Sequence, residues 1–159
     1  MRLGILCIGR MKAGPERELL ARYAKRIAAM RNLGLDGLDV REFDESPARS
    51  IPARIAGEGD ALLAALAPEA AVAVFDERGE AATSADFAQF IARERDAGRK
   101  ILWFVIGGAE GLDARLRARA RSVFCFGAMT LPHQLVRILA AEQIYRAMTI
   151  ISGHPYHRG

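Results

Sequence analysis

The chain is poor in the residues that staple a fold or anchor it in a membrane. Among 159 residues there are two cysteines, Cys7 and Cys125, each inside a strand-like apolar run. No disulfide framework can be read from them, and the expectation is two buried free thiols in a reducing compartment. Neither has a cluster of Cys, His or Asp ligands nearby, so no metal site is expected. No apolar stretch approaches the ~18 residues that cross a bilayer. The segment from Met1 to Ile8 is too short for a signal-peptide core, and Arg10 and Lys12 follow it at once. The expectation is a soluble, unexported, cytoplasmic protein with no membrane partner. Also missing are internal repeats, low-complexity tracts and a Ser/Gly linker, which leaves a single domain over residues 1–159.

What is present is a globular composition: 51% hydrophobic and 26% charged residues exclude disorder. A chain this long buries roughly two-thirds of its unfolded surface. Five short apolar runs, Leu3–Ile8, Leu38–Phe43, Ala70–Phe75, Ile101–Ile106 and Ser122–Phe126, alternate with helical patterns. They are continuous rather than alternating, as in strands covered on both faces, so the pattern predicts an α/β fold with a parallel sheet flanked by helices. Helices are predicted over Glu16–Met30, Ile51–Leu66, Ala85–Asp96 with Ser84 as N-cap, Leu112–Ala120, and Gln134–Met148 opened by Thr130 and Pro132. Pro52, Gly57 and Gly59 count against the first half of the second helix.

In open parallel sheets, ligands sit beyond the carboxyl ends of strands, where backbone groups are unpaired. The third run is followed by Asp76-Glu77-Arg78-Gly79, the fourth by Gly107-Gly108-Ala109-Glu110-Gly111, and the fifth by Gly127-Ala128-Met129-Thr130-Leu131-Pro132-His133. The glycine-rich loop lacks the Lys and Ser/Thr of a P-loop and the spacing of a dinucleotide fingerprint. From residues alone it is a tight turn or a ligand cradle, and Glu110 in it also suits a helix N-terminus. The tail gathers Tyr156, two of the three histidines (His154 and His157) and Arg158, groups that move protons and bind phosphate. Charge is uneven: residues 98–159 hold nine basic and three acidic groups, and the first 97 hold 14 and 16. The C-terminal third is thus the candidate polyanion surface, with Arg115, Arg117, Arg119 and Arg121 either its contact face or a solvated helix face.

Four segments, Ile106–Leu112, Thr130–Arg137, Glu142–Ala147 and the ending Tyr156-His157-Arg158, stand in an order and spacing that resembles the small SPOUT-class methyltransferases of the RlmH type. The resemblance covers the whole chain. It implies S-adenosylmethionine as cofactor, methylation of N3 of a pseudouridine in large-subunit ribosomal RNA, a deep trefoil knot over about residues 100–159, and a homodimer with each cofactor site near the interface. It places cofactor contacts on Phe75, on Gly107, and on Phe126, Gly127, Ala128, Met129, Thr130 and Leu131. Phe75, Phe126 and Gly127 depart from the family's usual residues, but such contacts are backbone or apolar packing.

The resemblance also makes the tail the place of catalysis. His157 and Tyr156, with His133 behind them, are candidates to remove the N3 imide proton. Arg158 and Arg137 are candidates to hold phosphate or charge on the uracil carbonyls. Without a separate RNA domain in view, the expected substrate is the assembled ribosome. Two rivals stand beside this reading. One is a non-catalytic ribosome- or RNA-binding factor on the same scaffold; the other, a nucleotide-dependent oxidoreductase, lacks its fingerprint.

Overall fold

The computed structural model describes residues 1–30 and 33–156. Five strands and five helices alternate: β1 (Arg2–Ile8), α1 (Pro15–Ala29), β2 (Asp36–Phe43), α2 (Ile51–Ala64), β3 (Ala71–Ala81), α3 (Ser84–Asp96), β4 (Ile101–Ile106), α4 (Ala114–Arg119), β5 (Ser122–Cys125) and α5 (His133–Ile151). All pairings are parallel, in the order β2-β1-β4-β3-β5.

Side chains alternate across the sheet, and each face meets its own apolar layer. Leu3, Ile5 and Cys7 of β1, with Leu102, Phe104 and Ile106 of β4, face the layer built with α1, α3 and α5. Leu6, Ile8, Trp103 and Val105 face the smaller layer of α2 and α4. Burial on both faces is why the strands read as unbroken apolar runs. Gly4 pairs directly with Trp103, and a Cβ there would stand 2.1 Å from the indole ring. That glycine makes room for the chain's one tryptophan, whose ring Arg41 covers at 4.8 Å.

Three departures from the sequence pattern have physical causes. α2 runs unbroken through Gly57 and Gly59, because neighbours press on both. A Cβ on Gly57 would lie 3.2 Å from Ser46 Oγ, and one on Gly59 would lie 2.5 Å from Asp113 Oδ2. Thr83, rather than Ser84, caps α3: it forms a reciprocal capping box with Asp86, while Ser84 Oγ donates to Gln143 Oε1 of α5 at 2.8 Å. β3 continues beyond Phe75 to Ala81. Phe75 and Glu80 both pair with Phe124, so residues 76–79 bulge out between two stretches of ladder. Gly79 is required there, since a Cβ would lie 2.5 Å from the Phe124 carbonyl carbon.

α5 opens at His133 with Pro132 as N-cap and no side-chain cap, so Thr130 does not serve that end. The helix is anchored by Arg137, which is fully buried. Its guanidinium donates to Glu42 Oε1 (2.6 Å) and to the carbonyls of Ile8 (3.0 Å) and Gly9 (2.9 Å), tying α5 to the ends of β1 and β2. This overturns Arg137 as a phosphate contact. A guanidinium with no solvent exposure, whose two Nη groups are committed to a carboxylate and two carbonyls and whose Nε is buried without a partner among the described residues, is not placed to meet RNA.

The arginines of the candidate polyanion surface at and after α4 are engaged within the chain. Arg115 pairs with Asp60 and Asp113, Arg117 with Asp76, and Arg121 with Glu94; Arg119 donates to the Ala67 carbonyl. These side chains keep partial exposure at the surface, so the pairs direct them along it more than they stabilise the fold. Among the described residues, no helix is long and apolar enough to cross a membrane.

Candidate active site

The carboxyl ends of β3, β4 and β5 open into one cavity of about 610 Å³, within the ~300–1,000 Å³ range of small-molecule sites. Its walls are Phe75–Arg78 from β3, the Ile106–Asp113 turn after β4, and the Phe124–Leu131 stretch after β5. Pro52, Ile55 and Ala56 of α2 face them. Every sequence-derived cofactor position except Ala128 lies on this wall. His133 lines it too; its Nε2 would be 2.9 Å from a Cβ on Gly9.

The turn after β4 closes on itself. Gly108 and Gly111 form an isolated bridge, with the Gly111 N–H donating to the Gly108 carbonyl at 3.1 Å. A Cβ on Gly107 would stand 2.6 Å from the Gly111 carbonyl oxygen, so only glycine fits this wall without moving the turn. Asp113, not Glu110, caps α4, and Glu110 instead pairs with Arg54 of α2 at 3.2 Å. The Arg115 guanidinium holds the Asp113 carboxyl below its ordinary range.

One guanidinium joins two of the three walls. Arg117 Nη1 donates to Asp76 Oδ2 at 2.9 Å and to the Leu112 carbonyl at 2.7 Å. Asp76 is nearly buried, with 6% of its side chain exposed, and its Oδ1 accepts the Arg78 N–H at 2.9 Å. Sequence reasoning missed this clamp, because its partners lie 41 residues apart. On the third wall Gly127 takes φ +109°, and Phe126 stacks on Phe75 with centroids 4.7 Å apart. Met129 stands at the rim, 80% exposed. The wall combines backbone and apolar side chains with charged groups already engaged within the chain, Asp76 with Arg117, Asp113 with Arg115 and Glu110 with Arg54. That chemistry fits a nucleoside-bearing group held by shape and main chain.

Tyr156 does not line the cavity. It folds back on the C-terminal half of α5, its hydroxyl donating to Glu142 Oε1 at 3.3 Å and its ring meeting Tyr145 edge-on at 4.9 Å. The Arg146 guanidinium covers the same ring at 5.0 Å and pairs with Glu142 at 2.7 Å. Burial, and then the Glu142 carboxylate, push the Tyr156 phenol above its ordinary value. Glu142 thus emerges as a partner of the tail. Its only sequence signal was its i, i+4 spacing to Arg146 within Glu142–Ala147. His157 and Arg158 lie outside the described residues.

The family described as "Predicted SPOUT methyltransferase" matches residues 1–157. Proteins named "Ribosomal RNA large subunit methyltransferase H" are similar along the whole length. The one from Methylobacterium sp. (strain 4-46) is 54% identical over 160 residues, covering 100% of this chain and 99% of that protein. Its counterpart in Methylocella silvestris is 52% identical over 159 residues and 99% of each chain. That of Nitrobacter winogradskyi is 51% identical over 160 residues and 100% of each. Among solved structures, the crystal structure of a probable methyltransferase from Bordetella pertussis Tohama I matches with a TM-score of 0.56 at 16% identity, over 92% of this chain and 93% of that one. That likeness speaks for the fold alone.

Proposed function

Since the chain belongs to the SPOUT methyltransferase family, we propose that it transfers a methyl group from S-adenosylmethionine to N3 of a pseudouridine in large-subunit ribosomal RNA, acting on the assembled ribosome in the cytoplasm. The observation that carries this reading is the convergence of three strand-end segments on one backbone-lined cavity. The similarity to proteins named for large-subunit ribosomal RNA supports the substrate.

When bound, S-adenosylmethionine supplies a methyl that its sulfonium already makes electrophilic. The chain's residues have the remaining tasks. Phe75, Gly107, Phe126, Gly127, Thr130 and Leu131 hold and orient it by packing and main chain, with Met129 at the rim and Ala128 behind the wall. The N3 proton must leave before that nitrogen can attack. His157 and Tyr156 are the groups to take it, with His133, which lines the cavity, behind them. Arg158 holds phosphate or developing charge.

A homodimer belongs to this reading. Leu135 and Leu139, one turn apart on α5, are exposed, and so is Met129 ahead of the helix, apolar groups that a second copy would cover. Tyr156 lies outside the cavity of its own chain, which supports delivery of the tail to the partner's cavity. The C-terminal knot also belongs to it. It is supported by α5, which leaves the β5 edge yet crosses to bury Arg137 against β1 and β2.

The test is direct. S-adenosylmethionine raises the melting temperature, and nucleoside mass spectrometry of treated ribosomes shows a singly methylated pseudouridine, with far less on protein-free RNA. Under single turnover with saturating cofactor, His157→Ala slows transfer by roughly 100-fold or more. No melting shift and no methylated nucleoside would leave a non-catalytic RNA-binding factor.

A further inference from the structure

We infer that Glu58 of α2 is the counter-charge of the cavity. Standing behind the glycine turn, its carboxylate makes the site prefer a cationic sulfonium donor to the neutral thioether left after methyl transfer. The inference rests on the S-adenosylmethionine reading above and names what selects that ligand over its product.

Glu58 sits in the middle of α2 and is 6% exposed. One of its oxygens is accounted for: Oε1 accepts the Ser46 N–H at 3.1 Å, which fixes the chain on its way into the helix. The other is not. Oε2 is buried and has no hydrogen-bond partner among the described residues. The cation best spaced to meet it is Arg54, one turn earlier on the same helix. That guanidinium is committed elsewhere, to the Ala48 carbonyl at 2.7 Å and to Glu110 at 3.2 Å. The carboxylates of the wall itself differ, since Asp76 has Arg117 and Asp113 has Arg115. A carboxylate withdrawn from water without a cation is costly to keep, and a cation arriving in the cavity offsets that cost.

The orphan oxygen is aimed at the cavity wall. A Cβ on Gly108 would lie 2.7 Å from Oε2 and 3.3 Å from the carboxylate carbon, and Gly108 lines the cavity. The carboxylate therefore backs onto a residue that has no side chain to separate it from a bound group. Across a thin layer from which water is excluded, its charge acts on a cation far more strongly than it would through solvent. Glu77 also lines the cavity, but it is exposed, where water and salt screen it. Methyl transfer changes the charge that Glu58 meets: the methyl leaves, the C–S bonding pair stays on sulfur, and a sulfonium becomes a neutral thioether. Main-chain and apolar contacts hold the adenosyl group of both forms alike, so a fixed charge is what tells them apart and favours exchange of product for donor.

The experiment measures, by calorimetry, the Kd of S-adenosylmethionine and of S-adenosylhomocysteine for wild type and for Glu58→Gln. Glutamine keeps the shape and an acceptor for the Ser46 N–H while removing the charge. Wild type is expected to bind the sulfonium about tenfold more tightly than the thioether, or better. In Glu58→Gln most of that preference is lost, while the thioether binds within about twofold of its wild-type affinity. A merely supporting role would weaken both ligands by the same factor and leave their ratio unchanged. That outcome overturns the inference, and so does a wild type that binds the two ligands alike. Glu58→Asp keeps the charge but draws it back by one methylene, and its ratio is expected between those of wild type and Glu58→Gln. Should Glu58→Gln fail to fold, Glu58→Asp decides, and a wild-type ratio there overturns the inference. If wild type binds neither ligand, the S-adenosylmethionine reading fails and the inference with it. Equal binding of both leaves that reading standing and strikes the counter-charge alone.

Discussion

Arg117 is the residue on which the shape of the cavity turns. Among the described residues, its guanidinium alone bridges Asp76 on one wall and the Leu112 carbonyl on another. Arg117→Ala leaves Asp76 nearly buried without its cation, at a cost of about 1–3 kcal/mol. It also frees the two walls to separate. Calorimetry with S-adenosylmethionine should show a Kd raised roughly tenfold, about 1.4 kcal/mol of binding. An unchanged Kd in a destabilised protein would make the clamp structural only. Cys7 offers a second residue-scale test. Burial pushes its thiol up from 9.0 to about 12, with Arg137 opposing and Glu42 adding. The folded state therefore holds this proton where the unfolded chain has lost it. Stability from Cys7 is full below pH 9 and fades as pH rises toward 12, by at most ~1.4 kcal/mol per pH unit. Denaturant melts across that range should fall less steeply for Cys7→Ala than for wild type.

Elements show where sequence patterns carry information and where they stop. β4 matches its apolar run, Ile101–Ile106, because burial on both faces ends sharply at Gly107. The extension of β3 could not be read, since residues 76–81 are polar and their pairing with β5 depends on a partner some forty positions away. Long-range pairing also hid the roles of the arginines. Arg137 sits in a motif suggestive of RNA contact, but its burial against Ile8 and Gly9 is decided across 128–129 residues. The cavity walls were legible as strand ends, because the carboxyl edge of a parallel sheet is the same in every such fold; their bracing was not. At α3 the capping box makes a clean prediction. Thr83→Ala removes the Oγ acceptor for the Asp86 N–H and the hydroxyl that donates to Asp86 Oδ2. The cost is about 1 kcal/mol, read as a melting temperature lower by about 2–4 °C with the cavity untouched.

For the molecule as a whole, the position of Tyr156 separates two ways of building a site. If each tail serves the partner's cavity, mixing inactive Gly107→Ala chains with inactive Tyr156→Phe chains creates dimers with one intact cavity facing one intact tail. Methylation then reappears on mixing. If each tail serves its own cavity, every site in the mixture keeps a defect and the mixture stays as inactive as its components. Gly107→Ala suits the experiment because its Cβ would press on the Gly111 carbonyl, 2.6 Å away, in the turn itself.

The indole that Gly4 accommodates gives the protein a spectroscopic label of its own. Trp103 is the sole tryptophan, 3% exposed, on the sheet layer shared with α2 and α4. Its emission should report separation of β1 from β4, since the ring packs on Gly4 of the neighbouring strand. Excitation at the red edge of the indole band, where phenols do not absorb, therefore follows loss of the fold at this one position in an unlabelled sample.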